Sequence, residues 1–449
     1  MLDPAQFDCL LVRTMFALSP TKLYNCLMLP ESLLKSQSNQ YSTIYIDMNS
    51  FFASVEQFHS PYLRAMPVAV TTAPSAGGSI VAASIEAKRM GIKTGTKVAE
   101  ARLMCPNIVI VHDSPNSYRR IHRQIMQILH GTPCYVRAKS IDEAYLKVPS
   151  YLQTREGVLG IVESIKSSLM DLYGEHILCS AGIASNVWLA KMASNSQKPD
   201  GLVMLDKSKL AGFYKGLTLL ELTGINRRMA RRLYDIGIQN PTDLCNSSWK
   251  YINNKLGING GKWYLRMRGI EVDIGDIKAN KSVSHQITTM PNPPKTSVEL
   301  ATYTNKIAVT LGRRLRKKNL AASGIAIYVG FLDGKWQGCS FNNTAFFRSD
   351  IEIISHTKML SKKLTIGSEV RKICITLFGL SISNQLAFDL FDHQKEQLLS
   401  RAVDKINSSY GDNTIMPLRS FMASHIVLNR VGFADDLLRE SSNPTDKPH

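Results

Sequence analysis

The chain has 449 residues, 44% hydrophobic and 20% charged, which suits about two to four globular domains and excludes a disordered or fibrous protein. Its 54 Lys and Arg against 36 Asp and Glu leave a net charge of +18, an excess that favours a polyanionic partner through counterion release. Eight scattered cysteines without a C-x-x-C pair exclude a disulfide scaffold or zinc ribbon, and no apolar stretch approaches the ~20 residues of a membrane span.

Asp8, Arg13 and Lys22 interrupt the first forty residues, so no signal peptide is expected, and the scattered cysteines fit reduced thiols in an expected cytoplasmic location. Thr43-Ile44-Tyr45-Ile46 then reads as a strand ending in Asp47. Phe51, Val55 and Phe58 recur at helical spacing, which puts Asp47 at a strand-to-helix junction. Residues 67–72 read as a strand, 74–78 as a Pro/Gly/Ser turn, and 81–90 as a helix stopped by Gly91. Ile121, Ile125, Ile128 and Leu129 mark a helix from Tyr118, with Arg119, Arg120 and Arg123 on its polar side. Asp142-Glu143 interrupts an alternating stretch over 136–148, and a helix near 158–172 and a strand at 177–184 follow. This order predicts an α+β layer.

Residues 206–272 read as all-helical. A polar stretch at 273–280 reads as a linker, and beyond it lies a second α+β unit. Its predicted elements are a strand at 282–290, a helix carrying Leu300, Ile307, Leu311 and Leu315, strands near 325–331 and 338–341, a helix near 350–363 and a strand at 372–378. Arg313-Arg314-Leu315-Arg316-Lys317-Lys318 closes the first of these helices, where cations suit the helix C-terminus. The polar end from Glu440 onward is expected to be disordered.

The two acidic segments carry the chemistry. An acid at the end of a core strand is costly to bury unless something cationic meets it. Three converging carboxylates, Asp47, Asp142 and Glu143, suit hard divalent cations such as Mg²⁺, and two such ions can activate an attacking oxygen and stabilise a leaving one. Neighbours on a regular strand point to opposite faces, so Asp142 and Glu143 can share a site only if the strand bends there.

Asp47 followed by Phe51-Phe52 and Ala53-Ser54-Val55-Glu56, together with Ser140-Ile141-Asp142-Glu143-Ala144-Tyr145, resembles the signature pair of the Y-family DNA polymerases, the bacterial DNA polymerase IV type above all. These enzymes copy damaged templates with low fidelity. The resemblance implies a right-hand fold: an N-terminal extension over 1–40, a palm over 41–205 with fingers inserted at about 51–113, a helical thumb over 206–272, a linker over 273–281, a little finger over 282–383 and a tail over 384–449. It implies two Mg²⁺, replaceable by Mn²⁺, held by Asp47, Asp142, Glu143 and the Met48 carbonyl, and attack of a primer 3′-hydroxyl on a deoxynucleotide.

Further roles follow from the same resemblance. Phe52 is the expected steric gate against a 2′-hydroxyl, with Phe51 beside it nearer the core. The family's Tyr-Glu-Ala-Arg segment, which binds triphosphate, is Ile85-Glu86-Ala87-Lys88 here. Lys88 keeps the charge without the bidentate fork. Ile85 donates nothing, so Ser84 is a candidate substitute. Lys198, in Lys198-Pro199-Asp200-Gly201, is the phosphate-binding candidate. Lys191 reads either as functional or as a packing lysine.

Leu222-Thr223-Gly224-Ile225 with Ala230-Arg231-Arg232 resembles the thumb's helix-hairpin-helix, with Gly224, Arg227, Arg228 and Arg231 as DNA contacts and Asn226 in place of the second glycine. Arg313 and Arg314 would grip the duplex from the little finger. Gln385-Leu386-Ala387-Phe388-Asp389-Leu390-Phe391 resembles a sliding-clamp-binding peptide anchored by Gln385, Leu390 and Phe391. The expected partners are primer–template DNA, dNTP and a clamp, with no membrane and a monomeric enzyme. The rivals are a non-catalytic DNA-binding scaffold of the same fold and a palm-like nucleotidyl cyclase.

Overall fold

The computed structural model describes residues 41–72, 74–273, 282–288, 293–365, 369–382, 394–411 and 414–422. The N-terminal extension, most of the linker, the clamp-like segment 385–391 and the polar end therefore lie outside the described residues. Those through Asp273 belong to one compact unit and those from Ser282 to another.

In the first unit, β1 (Thr43–Met48) turns through two residues into α1 (Phe51–His59), the junction that the spacing predicts. A small module follows: β2 (Val68–Thr71), β3 (Ile80–Ala83), α2 (Ile85–Arg89), α3 (Val98–Met104) and β4 (Val109–His112). Its sheet has the order β3-β2-β4. The helix expected over 81–90 is a correction. Val81 to Ala83 pair with β2 instead, because Ala82 and Ala83 lie opposite Val70 and Ala69 and complete a buried sheet. Only the part after Ser84 is helical, and the Ser84 hydroxyl caps it by accepting from Ala87 N. α3 and β4 are further elements of this module that no expectation above covers.

The chain continues through α4 (Pro115–His130), β5 (Tyr135–Ala138), β6 (Glu143–Lys147), α5 (Arg155–Tyr173), β7 (Cys179–Ala184), α6 (Val187–Ser196) and β8 (Leu202–Met204). The central sheet runs β5-β6-β1-β7-β8. Because strand side chains alternate, β1 faces two cores at once. Ile44, Ile46 and Met48 join the core built with α4 and α5. Tyr45 joins a second core with Tyr145, α6 and the helices that follow, and Asp47 shares its face.

Gly182 on β7 lets α6 approach that face closely. A Cβ there would meet Ala190 O at 2.0 Å and Ser194 N at 2.3 Å. The helices are α7 (Leu210–Lys215), α8 (Arg227–Tyr234), α9 (Pro241–Asn246) and α10 (Trp249–Met267). Trp188 of α6 ties them to the sheet, since its Nε1 donates to Thr223 O at 2.8 Å and its ring meets Trp263 edge-on.

The second unit is a four-stranded antiparallel sheet, β11-β10-β12-β9, built from β9 (Ser282–Thr288), β10 (Leu320–Phe331), β11 (Trp336–Phe347) and β12 (Val370–Ile382). One face is backed by α11 (Ser297–Lys317) and α12 (Asp350–Ser361), and Leu300, Ile307, Leu311 and Leu315 form the predicted apolar stripe. Within the segment expected as a tail, 384–449, a 17-residue helix forms, α13 (Gln394–Tyr410), followed by α14 (Leu418–Met422). Arg316 is the anchor. It is bonded to Asp350 at 2.8 Å and to both carboxylate oxygens of Asp404 on α13, at 2.5 and 2.9 Å.

Gly182→Ala should force α6 off the sheet and lower stability by about 1–3 kcal/mol, as overpacking against backbone does. Chemical denaturation compared with the unaltered protein measures this.

Candidate active site

The site is built where the ends of β1 and β6 meet. Asp47 and Glu143 are register partners across the antiparallel β1–β6 pair, so both carboxylates stand on the face that α6 covers. Asp142 precedes β6 and lies in the hairpin turn, so the alternation that would send it to the opposite face does not apply. The turn is closed by Lys139 N donating to Glu143 O at 2.7 Å. Asp142 O accepts from Met48 N at 2.9 Å, which docks the turn on the end of β1. Beneath it, His122 Nδ1 donates to Ile141 O at 2.8 Å.

Two lysines supply counter-charge. Lys191 of α6 bonds both oxygens of Glu143, at 2.8 and 2.7 Å, while Tyr45 Oη donates to Glu143 Oε2 at 2.9 Å. Lys191 is therefore an ion-pair partner rather than a packing lysine. Lys198 Nζ lies 2.6 Å from Asp47 Oδ1. Burial alone would raise the Glu143 carboxyl, but Lys191 and Tyr45 bring it below its usual range. Asp47 goes the other way. Burial outweighs Lys198, and Glu143 and Asp142 add repulsion, so its pKa is pushed up to about 6. Burial also raises Asp142, against the hydrogen bond from Ser140 Oγ at 2.5 Å.

The donor set is all oxygen and largely buried, and like-charge repulsion within it is only partly offset, which fits a hard cation in kind. The three carboxylates are not drawn into one cluster. Among the described residues no group of three or more His, Cys, Asp or Glu is gathered closely enough to hold a metal ion, because Asp142 is turned to Ser140 and the other two to lysines.

The triphosphate candidates divide. Desolvation and then the like charge of Lys198 pull Lys88 below its ordinary value, while Asp47 and Asp142 oppose this, which puts Lys88 in the same electrostatic neighbourhood. Ser84 does not reach it. Its buried hydroxyl is committed to Val68 N, Met66 O and Ala87 N, so Ser84 cannot take the place of the hydroxyl that Ile85 lacks. Phe51 and Phe52 are both buried, and Phe52 stacks on Tyr118 with ring centroids 4.4 Å apart.

On the helices after the sheet, Gly224 has φ +96°, as a tight turn requires. Asn226 is not left-handed. It is extended and caps α8 by accepting from Met229 N at 2.9 Å, a role in which Asn replaces glycine without strain. Arg227, Arg228, Arg231 and Arg232 are exposed on α8 while Ala230 and Leu233 are buried. In the second unit Arg313 Nε lies 3.9 Å from Asp404 and Arg314 donates to Ser284 O at 3.2 Å, so both cations already face acceptors.

The unfolded chain releases the Asp47 proton near 3.8, the folded protein only near 6. Folding therefore takes up a proton in this window, and stability falls as pH rises through it. Asp47→Asn should match the unaltered protein below pH 4 and exceed it at pH 7.5 by about 1–3 kcal/mol, checked by denaturation at several pH values.

Comparison with known proteins follows the same division of the chain. Residues 46–195 match the model of the impB/mucB/samB family, and residues 280–390 match that family's C-terminal domain. DNA polymerase IV of Moorella thermoacetica is 31% identical over 84% of this chain and 96% of its own. That of Oceanobacillus iheyensis is 29% identical over 91% of this chain and 99% of its own. Among solved structures, a Y-family DNA polymerase chimera of Dbh and Dpo4 aligns with a TM-score of 0.66 at 23% identity, covering 76% of this chain and 99% of the chimera. An insertion ternary complex of Dbh DNA polymerase aligns with a TM-score of 0.52 at 22% identity over the same shares. With its acidic strand ends, its two-unit fold and matches to both domain models, this chain belongs to the impB/mucB/samB family of Y-family DNA polymerases.

Proposed function

We propose that this protein is a template-directed, low-fidelity DNA polymerase that adds deoxynucleotides to a primer 3′-hydroxyl opposite damaged template. The observation that carries the reading is the placement of Asp47 opposite Glu143, with Asp142 docked beside them, in a chain of this family. Intact carboxylates at all three positions speak against a scaffold without chemistry. The thumb-like helices and second unit exceed what a nucleotidyl cyclase needs.

Palm, fingers, thumb and linker take the boundaries given above, with the β1–β6 junction at the palm's centre, and the little finger takes in α13, which Arg316 ties to it. Two divalent cations, Mg²⁺ with Mn²⁺ as substitute, held by Asp47, Asp142, Glu143 and the Met48 carbonyl, would acidify the primer hydroxyl and neutralise the triphosphate. The chain's own residues do the rest. Lys88 and Lys198 bind the triphosphate as point charges, Lys198 leaving Asp47 to do so. Phe52 closes the floor under the sugar. Gly224, Arg227, Arg228 and Arg231 hold duplex phosphate on the thumb, and Arg313 and Arg314 do so on the little finger. Gln385, Leu390 and Phe391 would tether the enzyme to a sliding clamp. It works as a cytoplasmic monomer on primer–template DNA, and no described helix is long and apolar enough to cross a membrane.

Primer extension tests the reading. Asp142→Ala and Glu143→Ala should each abolish incorporation while primer–template affinity stays within a few-fold, because phosphate contacts carry that affinity. Normal extension by either variant would sink the assignment.

Phe52→Ala should raise ribonucleotide incorporation relative to deoxynucleotide at least about tenfold, roughly 1.4 kcal/mol at the transition state. Unchanged discrimination would assign Phe52 to the core alone, where it stacks on Tyr118.

A further inference from the structure

The turn that carries Lys198 is held from beneath by a residue with no role so far. Asn49 lies two positions after Asp47 and is only 5% exposed. Its Oδ1 accepts from Asp200 N at 2.8 Å and its Nδ2 donates to Ser180 Oγ at 3.0 Å. Ser180, fully buried on β7, accepts in turn from Gly201 N at 3.3 Å. The backbone of Asn49 is itself fixed. Its N donates to Leu178 O at 2.8 Å, and its O accepts from Ser54 Oγ at 2.8 Å.

The turn is also held from its outer side, where Lys166 Nζ donates to Asp200 O at 2.6 Å and to Asp200 Oδ1 at 2.8 Å. It has little room to adjust. Asp200 has φ +54°, and a Cβ on Gly201 would meet Gln197 O at 1.9 Å. One buried amide thus links the end of the strand that carries Asp47 to the turn that carries Lys198, whose Nζ reaches Asp47. Removing that amide would leave Asp200 N without its acceptor on the partly buried inner side of the turn, so the turn would shift to find another.

We infer that Asn49 is a positioning residue for nucleotide binding, setting Lys198 through Asp200 and Ser180 so that its ammonium meets the incoming triphosphate. This rests on the reading of Lys198 as a triphosphate contact. Side chains act as point charges at such a site, and the affinity that one ammonium supplies depends on where its stem starts. Asn49 itself touches neither substrate nor reacting atoms.

The test uses the full chain on a primer–template ended by a dideoxynucleotide, with binding of the complementary dNTP read by fluorescence titration and no turnover. Asn49→Ala should weaken dNTP binding about tenfold and Lys198→Ala by at least as much. The double variant should bind no more than about twofold more weakly than Lys198→Ala, because Asn49 acts only through Lys198. Primer–template affinity should stay within about twofold throughout, which general damage to the fold would not allow. Ser180→Ala, alone and with Lys198→Ala, gives the same comparison should Asn49→Ala not fold. Additive losses in the double variants would overturn the inference. So would unaltered dNTP affinity in Asn49→Ala and Ser180→Ala beside a loss in Lys198→Ala, an outcome that leaves the Lys198 reading standing. Unaltered affinity in Lys198→Ala would remove that reading and the inference with it.

Discussion

Asp47 and Glu143 stand opposite each other at the ends of adjacent strands, on a face that a helix covers. Two carboxylates so placed repel, and burial adds to the cost, so the surroundings must supply positive charge at fixed positions. They supply it from two directions. Lys191 comes down from α6 and Lys198 from the turn that follows it. The first needs α6 close to the sheet, which the missing side chain of Gly182 permits. The second needs the turn fixed to the strand end, which Asn49 and Ser180 achieve. A single electrostatic demand thus explains a glycine, a buried amide and two lysines that share no motif.

The same face also joins the sheet to the helices behind it. Tyr45 and Tyr145 pair across β1 and β6, and their core continues through Trp188 into Leu219, Leu233 and Trp263. The indole of Trp188 fixes Thr223 O next to the Gly224 turn. A helix that positions a counter-charge for Glu143 at one point therefore also positions the arginine-bearing hairpin, so the acidic site and the basic surface of α8 share one rigid element. The second unit rests on a comparable device. Arg316 gathers Asp350 and Asp404 from two other helices, and its guanidinium satisfies both carboxylates at once. Breaking such a group leaves unpaired charge in a partly buried place, which is why α13 is part of this unit rather than an appendage.

Local patterns were legible where a single element decides the outcome. The strand ending in Asp47, the helix with Phe51 and Val55, the stripe of Leu300 to Leu315 and the strands of the second unit all follow from periods of 2 and 3.6, which a backbone imposes without help from elsewhere. Within 81–90 only Val81 to Ala83 depart from the expected helix, because that stretch has no decisive period. Pairing with β2, twelve residues earlier and invisible in the local pattern, makes it a strand. The cap that Asn226 makes is likewise invisible in the local pattern, because it depends on Met229 N, a bond that exists only once α8 has formed.

The sequence by itself determined the family of the chain and the three carboxylates, since residue types at fixed short spacing are preserved in one dimension. Only the tertiary structure decided how those carboxylates are held. Lys191 lies 48 residues from Glu143, Lys198 151 residues from Asp47, and Asn49 151 residues from Asp200, so no window of sequence contains either partner of any pair together. It also commits the Ser84 hydroxyl to a helix cap. Charge pairing and burial act through space, and a residue's reach in space is set by the sheet and helix it stands on rather than by its neighbours along the chain.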